Sequence, residues 1–289
     1  MKIVVIVGPT GVGKTKLSIE LAKKMNAVII NGDSMQVYKG LDIGTAKIKE
    51  NEKEGIEHYL FDICTPLEDY NIYKYQQDGR YLLDKFIKEN RNVIIVGGSG
   101  LYLKSLLYDY KFQEESIQDD YHYLTNEEIL KEIKKDHETD IHVNNRKRLI
   151  RELNKIKNGN NIKTDIYKKL YDFTIIGLTC PRDKLYEIVD KRVDLMVEEG
   201  LVTEVKNLYN QGIRSKAIET GIGYKELYAY FDKQVTLEDA INNIKKNTRH
   251  FIKRQYTFFK NQMDVNWVNV NFQDFKETIQ ESLKIIHED

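Results

Sequence analysis

The chain of 289 residues is 41% hydrophobic and 31% charged, and no apolar run approaches membrane-spanning length, which excludes a disordered chain and a helical membrane protein. Its 45 basic residues balance its 45 acidic ones, so it is not a polycation as a whole and any nucleic-acid surface has to be local. The two cysteines, Cys64 and Cys180, stand far apart without metal-ligand spacing, which excludes a disulfide framework and a zinc site and leaves buried free thiols as the expectation. Met1-Lys2 runs straight into an apolar stretch, so no secretion leader is expected and the cytoplasm is the expected compartment.

Ile3-Val4-Val5-Ile6-Val7 reads as a buried strand. It is followed by Gly8-Pro9-Thr10-Gly11-Val12-Gly13-Lys14-Thr15 and then by a helical pattern over Lys16 to Met25. Strand, glycine-rich loop and helix in that order make a P-loop. Its glycines let successive backbone N–H groups turn inward around an anion, and the helix that follows adds its positive end. Gly8, Thr10, Gly11, Val12 and Gly13 are therefore expected to cradle linked phosphates. Lys14 is expected to meet the outer phosphates of a di- or triphosphate, and the Thr15 hydroxyl to ligate a Mg²⁺ that bridges them.

A second apolar run, Ala27 to Ile30, ends at Asn31-Gly32-Asp33-Ser34. In an open α/β sheet the carboxyl ends of the strands carry the ligands, so Asp33 is expected to share a cleft with Lys14, although an Asx turn would explain its position nearly as well. Asn92 to Val96 feeds Gly97-Gly98-Ser99-Gly100 and then an apolar helix, which presents Ser99 at the same edge. A fourth run, Phe173 to Leu178, completes the recognisable sheet. The expected fold is α/β, a P-loop NTPase-like parallel sheet flanked by helices.

Strand signals vanish between residues 113 and 170. Thr125-Asn126-Glu127-Glu128 is a capping box, and Asn145 to Lys157 places Leu149, Ile150, Leu153 and Ile156 on one face with Arg148, Arg151 and Lys155 on another. We read this span as a helical insertion that returns through the turn Asn158-Gly159-Asn160-Asn161, with 1–112 and 171–289 forming the core. Beyond it the chain is mostly helical: Arg182 to Asn210 is interrupted at Gly200, with Gly212 as a stop, and a further helix opens at Thr236-Leu237-Glu238-Asp239.

That last helix carries six Lys or Arg and no Asp or Glu from Ala240 to Met263. Lys245, Arg249 and Lys253 share one face, with aromatic residues interleaved. Unpaired like charge on a helix face is costly unless an anion lies against it; a solvated face and a nucleic-acid face are both open readings. The second basic stretch, Arg146-Lys147-Arg148 with Arg151, adds weight to a polyanion.

At this point the residues resemble the tRNA dimethylallyltransferase family. The matching segments are the P-loop, Asn31-Gly32-Asp33-Ser34-Met35-Gln36-Val37-Tyr38 with Leu41 to Lys47, Gly97 to Tyr102, Asn145 to Arg151, Gly221 to Glu226, and Thr248 to Gln255. The resemblance implies transfer of a dimethylallyl group from dimethylallyl diphosphate to N6 of adenine 37, beside the anticodon of certain tRNAs, with Mg²⁺ as cofactor. It also implies Asp33 as the base, with Ser99 and Lys14 at the reacting centre. Asp33, Ser34, Met35, Gln36, Lys147, Arg148, Arg151, Arg249, Lys253, Arg254 and Gln255 are its implied contacts to the tRNA anticodon stem-loop. Departures are Ser99 for the usual Thr, Asn145 for a usual Asp, and His250-Phe251-Ile252 for a commoner Gln-Leu-Ala. No membrane partner is expected, and the protein is expected to act as a monomer. The rival readings are a P-loop small-molecule kinase, an adenylate isopentenyltransferase acting on free AMP or ATP, and a non-catalytic RNA-binding module.

Overall fold

The computed structural model describes residues 1–112, 119–159 and 167–288. The chain divides into two compact units, Met1–Leu107 with Lys169–Asp289, and Tyr108–Lys168. The smaller unit begins a few residues before the expected boundary because its two ends pair: Asp109 N–H donates to the Lys168 carbonyl at 2.9 Å. Of the expected return turn, Asn160 and Asn161 lie outside the described residues.

The larger unit is built on a six-stranded parallel sheet in the order β3-β2-β4-β1-β5-β6. Its strands are β1 (Ile3–Val7), β2 (Ala27–Asn31), β3 (His58–Tyr59), β4 (Asn92–Val96), β5 (Thr174–Thr179) and β6 (Asn266–Asn269). β1, β2 and most of β5 are buried, as parallel strands covered on both faces must be. The sequence announced β1, β2, β4 and β5. It did not announce β3, two residues long, or β6, whose Asn266 and Asn269 are exposed at the sheet's edge.

Helix α1 (Lys14–Met25) follows the glycine loop, α2 (Ile72–Lys88) and α3 (Gly100–Leu107) flank β4, and α6 (Arg182–Glu198) and α7 (Leu201–Asn210) meet at Gly200, whose φ of 106° only glycine adopts freely. Then come α8 (Lys216–Thr220), α9 (Tyr224–Phe231), α10 (Leu237–Gln262) and α11 (Phe275–Glu288). The Thr236 side chain caps α10 by accepting the Asp239 N–H. Cys64 and Cys180 are buried free thiols, and burial pushes the Cys64 pKa up to about 11. Among the described residues no helix is long and apolar enough to cross a membrane.

The smaller unit contains α4 (Asn126–Asp136) and α5 (Arg146–Lys157), packed through Ile129, Ile133, Leu149 and Leu153. The Thr125–Glu128 capping box forms as its spacing predicts. Arg146 is a strut: its guanidinium donates to the carbonyls of Tyr121 and Leu124 and to Asn126 Oδ1. Lys147, Arg148 and Arg151 are exposed, and no acidic side chain pairs with them among the described residues.

Candidate active site

The sheet order explains why three distant stretches of chain meet. β2, β4 and β1 are consecutive in the sheet, so the turns after them, which carry Asp33, Ser99 and the glycine loop, lie side by side. Backbone hydrogen bonds tie these turns together. Gly32 N–H donates to the Val96 carbonyl at 2.8 Å, Gly97 N–H to Ile6 at 3.1 Å, and Ser99 N–H to Gly32 at 3.2 Å. Across the same junction the Ser99 hydroxyl accepts the Ser34 N–H at 3.0 Å.

Together they floor a cavity of about 530 Å³. Thr10, Gly11, Gly13, Lys14 and Thr15 line it from the glycine loop, with Asp33 to Gln36 and Ser99 beside them. Gly8 and Val12 are buried behind this lining. Gly8 is needed because a Cβ there would come within 2.6 Å of the Leu178 carbonyl oxygen on β5.

The charges in this cavity are perturbed. Lys14 Nζ donates to the Pro9 carbonyl at 2.8 Å, and burial pulls its pKa down to about 8 against the attraction of Asp33, with the nearby Arg192 lowering it further. Burial raises the Asp33 pKa, while its bonds from the Met35 and Gln36 backbones and the Lys14 charge oppose the rise. Asp33 Oδ1 accepts the Met35 N–H at 2.8 Å, so the Asx-turn reading and the cleft reading of this residue both hold.

Arg192 went unnoticed in the sequence. It lies on α6 with Val189, Val193 and Met196, all four lining the cavity, and burial depresses its pKa as well. The signal was present: Leu185, Val189, Arg192 and Met196 form one helical stripe in which a lone cation interrupts apolar residues. Glu204 was missed too. Its carboxylate accepts the backbone N–H groups of Asp42, Ile43 and Gly44 and the Tyr224 hydroxyl, fixing the loop whose Gly44, Thr45 and Ala46 form another wall.

A second cavity of about 470 Å³ adjoins the first. Ser34, Met35, Gly98, Ser99, Thr220, Phe251, Arg254 and Gln255 line both, and Tyr70, Tyr102 and Phe258 add aromatic walls to the second. The two cavities therefore meet where Asp33's neighbours and Ser99 lie.

The basic face of α10 differs from its expected form. It is not a run of unpaired charge: Lys245 pairs with Asp194 and Arg249 with Asp190, both on α6. Lys253 and Arg254 are exposed and have no acidic partner among the described residues, with the Arg254 guanidinium 5.6 Å from the Phe251 ring centre. Gln255 is only 4% exposed and spends its amide inside the protein, accepting the Thr10 N–H and donating to the Gly98 carbonyl.

The sequence profile of the IPP transferases matches residues 36–262, most of the chain. The chain belongs to the IPP transferase family. It is 47% identical over 281 residues to a tRNA dimethylallyltransferase of Anoxybacillus flavithermus, covering 93% of this chain and 90% of the relative. The crystal structure of a tRNA isopentenylpyrophosphate transferase from Bacillus halodurans superposes with a TM-score of 0.79 at 39% identity, over 99% of this chain and 97% of that one. A eukaryotic dimethylallyltransferase caught acting on tRNA superposes with a TM-score of 0.80 at 27% identity, over all of this chain and 80% of that one. The family profile begins at Gln36, so the glycine loop and Asp33 lie outside it and stand on their own geometry.

Proposed function

We propose that this IPP transferase moves a dimethylallyl group from dimethylallyl diphosphate to N6 of adenine 37 in tRNA. The observation that carries the reading is the single cavity shared by the glycine loop, Lys14, Arg192 and Asp33, which adjoins an aromatic-walled cavity roomy enough for a nucleobase. The diphosphate rests against the backbone of Thr10 to Thr15, with Lys14 and Arg192 as its cations. These charges offset what develops on the leaving pyrophosphate as the allylic C–O bond breaks.

The adenine amine is a weak nucleophile because its lone pair is delocalised into the ring. Burial raises the Asp33 pKa, which makes its carboxylate a stronger base than an ordinary one, so it can hold the amine and take its proton as the new C–N bond forms. Ser99, fixed on Ser34, supplies a hydroxyl at the junction of the two cavities. The base reaches this point by leaving the anticodon stack, and Phe251 offers it a ring to lie against.

The Thr15 hydroxyl is a hard oxygen donor lining the cavity at the start of α1, and no cluster of three acidic or His/Cys ligands competes with it among the described residues. That donor set fits a Mg²⁺ held by Thr15 and the substrate's phosphates rather than by a protein cage. When bound, the ion supplies further charge neutralisation to the diphosphate. Ser34, Met35, Gln36, Lys253 and Arg254 are our proposed tRNA contacts on the larger unit, with Lys147, Arg148 and Arg151 on the smaller. A tRNA substrate would place the protein in the cytoplasm, where we propose that it acts as a monomer.

Incubation with tRNA and either labelled dimethylallyl diphosphate or γ-labelled ATP tests the reading. Prenyl label in tRNA is expected. Phosphate transfer to a small acceptor without prenylation would replace it by a kinase, and preference for AMP over an anticodon stem-loop would replace it by a free-nucleotide prenyltransferase.

A further inference from the structure

The charges along the seam between α6 and α10 form a two-rung ladder. Arg249 Nη1 lies 2.7 and 2.6 Å from the two Asp190 oxygens, and one turn away Lys245 Nζ lies 2.6 Å from Asp194 Oδ1. Both helices use an i, i+4 spacing, and the numbering runs in opposite senses, so two rungs fix the rotation of α6 as one could not. That rotation matters because α6 also walls the cavity through Val189, Arg192, Val193 and Met196. It abuts the glycine loop directly: a Cβ on Gly11 would come within 2.8 Å of Val189 Cγ1.

We propose that Arg249 and Lys245, through Asp190 and Asp194, are positioning residues that hold the Arg192 face of α6 against the glycine loop, rather than contacts to RNA. The inference rests on the cavity holding a diphosphate, as set out above. An arginine whose Nη1 already bridges both oxygens of a carboxylate has less charge to offer a tRNA phosphate. A turned or shifted α6 would carry Arg192 away from the outer phosphates while leaving the exposed Lys253 and Arg254 in place.

Calorimetric titration of the full chain with inorganic pyrophosphate and Mg²⁺, beside tRNA binding over a salt series, tests this without relying on turnover. Arg249→Gln and Asp190→Asn should each weaken pyrophosphate binding about three- to five-fold, the size the loss of one partly exposed ion pair allows. The double variant should be no worse than either single one, and Arg249→Lys should bind as wild type does. The salt slope of tRNA binding should stay unchanged. A shallower slope in Arg249→Gln, whatever pyrophosphate does, would return Arg249 to RNA; unchanged pyrophosphate affinity would also overturn the proposal. If Arg249→Gln fails to fold, Lys245→Gln at the other rung must show the same loss or the ladder has no such role. Wild-type protein that binds pyrophosphate but leaves tRNA unprenylated would refute the activity and not the ladder.

Discussion

Gln255 Oε1 accepts the Thr10 backbone N–H at 3.1 Å, joining the last third of the chain to its first loop. The same amide donates to the Gly98 carbonyl at 3.1 Å, so one side chain clasps the glycine loop to the turn that presents Ser99. Gly98 has no room for a side chain because this amide occupies it: a Cβ would come within 2.2 Å of Gln255 Nε2. Gln255→Leu keeps the volume but takes the partner from the buried Gly98 carbonyl and from the half-buried Thr10 N–H. The variant should be less stable by about 1–3 kcal/mol in denaturant unfolding and should lose kcat more than tRNA affinity.

The pH profile should carry two limbs. Asp33 must be ionised to accept a proton, and its raised pKa should move the acid limb of kcat/KM upward from the position of an unperturbed aspartate. Lys14 must be charged to hold the diphosphate, so kcat/KM should fall again through about pH 8. Bound diphosphate favours the charged form, which moves the alkaline limb of kcat upward relative to that of kcat/KM.

Lys14 also makes stability depend on pH in a definite direction. Its pKa is about 8 folded against 10.5 unfolded, so the unfolded chain binds more protons between those values and stability rises with pH across them. Lys14→Met should therefore be more stable than wild type at neutral pH. The difference should shrink from about pH 8 upward in thermal melts.

Ser99→Ala removes the hydroxyl that holds the Ser34 N–H and should cost about 1 kcal/mol of transition-state stabilisation, read as a several-fold fall in kcat/KM. Ser99→Thr keeps the hydroxyl and should retain activity. Equal loss in both would assign the effect to packing.

Neutralising Lys253 or Arg254 should weaken tRNA binding and flatten its salt dependence by about one phosphate contact each. Binding measured from low to moderate salt checks this. An unchanged slope would make them a solvated face.

The sheet core and the P-loop were legible because buried parallel strands are unbroken apolar runs and the loop's spacing is rigid. β6 was not: its outward Asn266 and Asn269 hide an edge strand that only pairing with β5 creates. Asp33 and Ser99 could be placed from strand-end position alone, whereas the stripe that holds Arg192 marks a helix face but not what it meets, and the loop that Glu204 holds lies about 160 residues away in sequence. The charges of α10 look free in the sequence because their partners, Asp190 and Asp194, lie more than fifty residues away on a helix that the sequence does not place beside it.

In the proposed reaction the Asp33 carboxylate and the diphosphate held by the glycine loop meet at one extruded adenine. Mass spectrometry of nucleosides from tRNA treated with the purified protein, dimethylallyl diphosphate and Mg²⁺ tests it most directly, with Asp33→Ala run in parallel. N6-dimethylallyladenosine is expected with the wild type and a rate lower by about 10²–10⁴ in the variant, with tRNA affinity little changed. Undiminished product from Asp33→Ala, or none from the wild type, would contradict it.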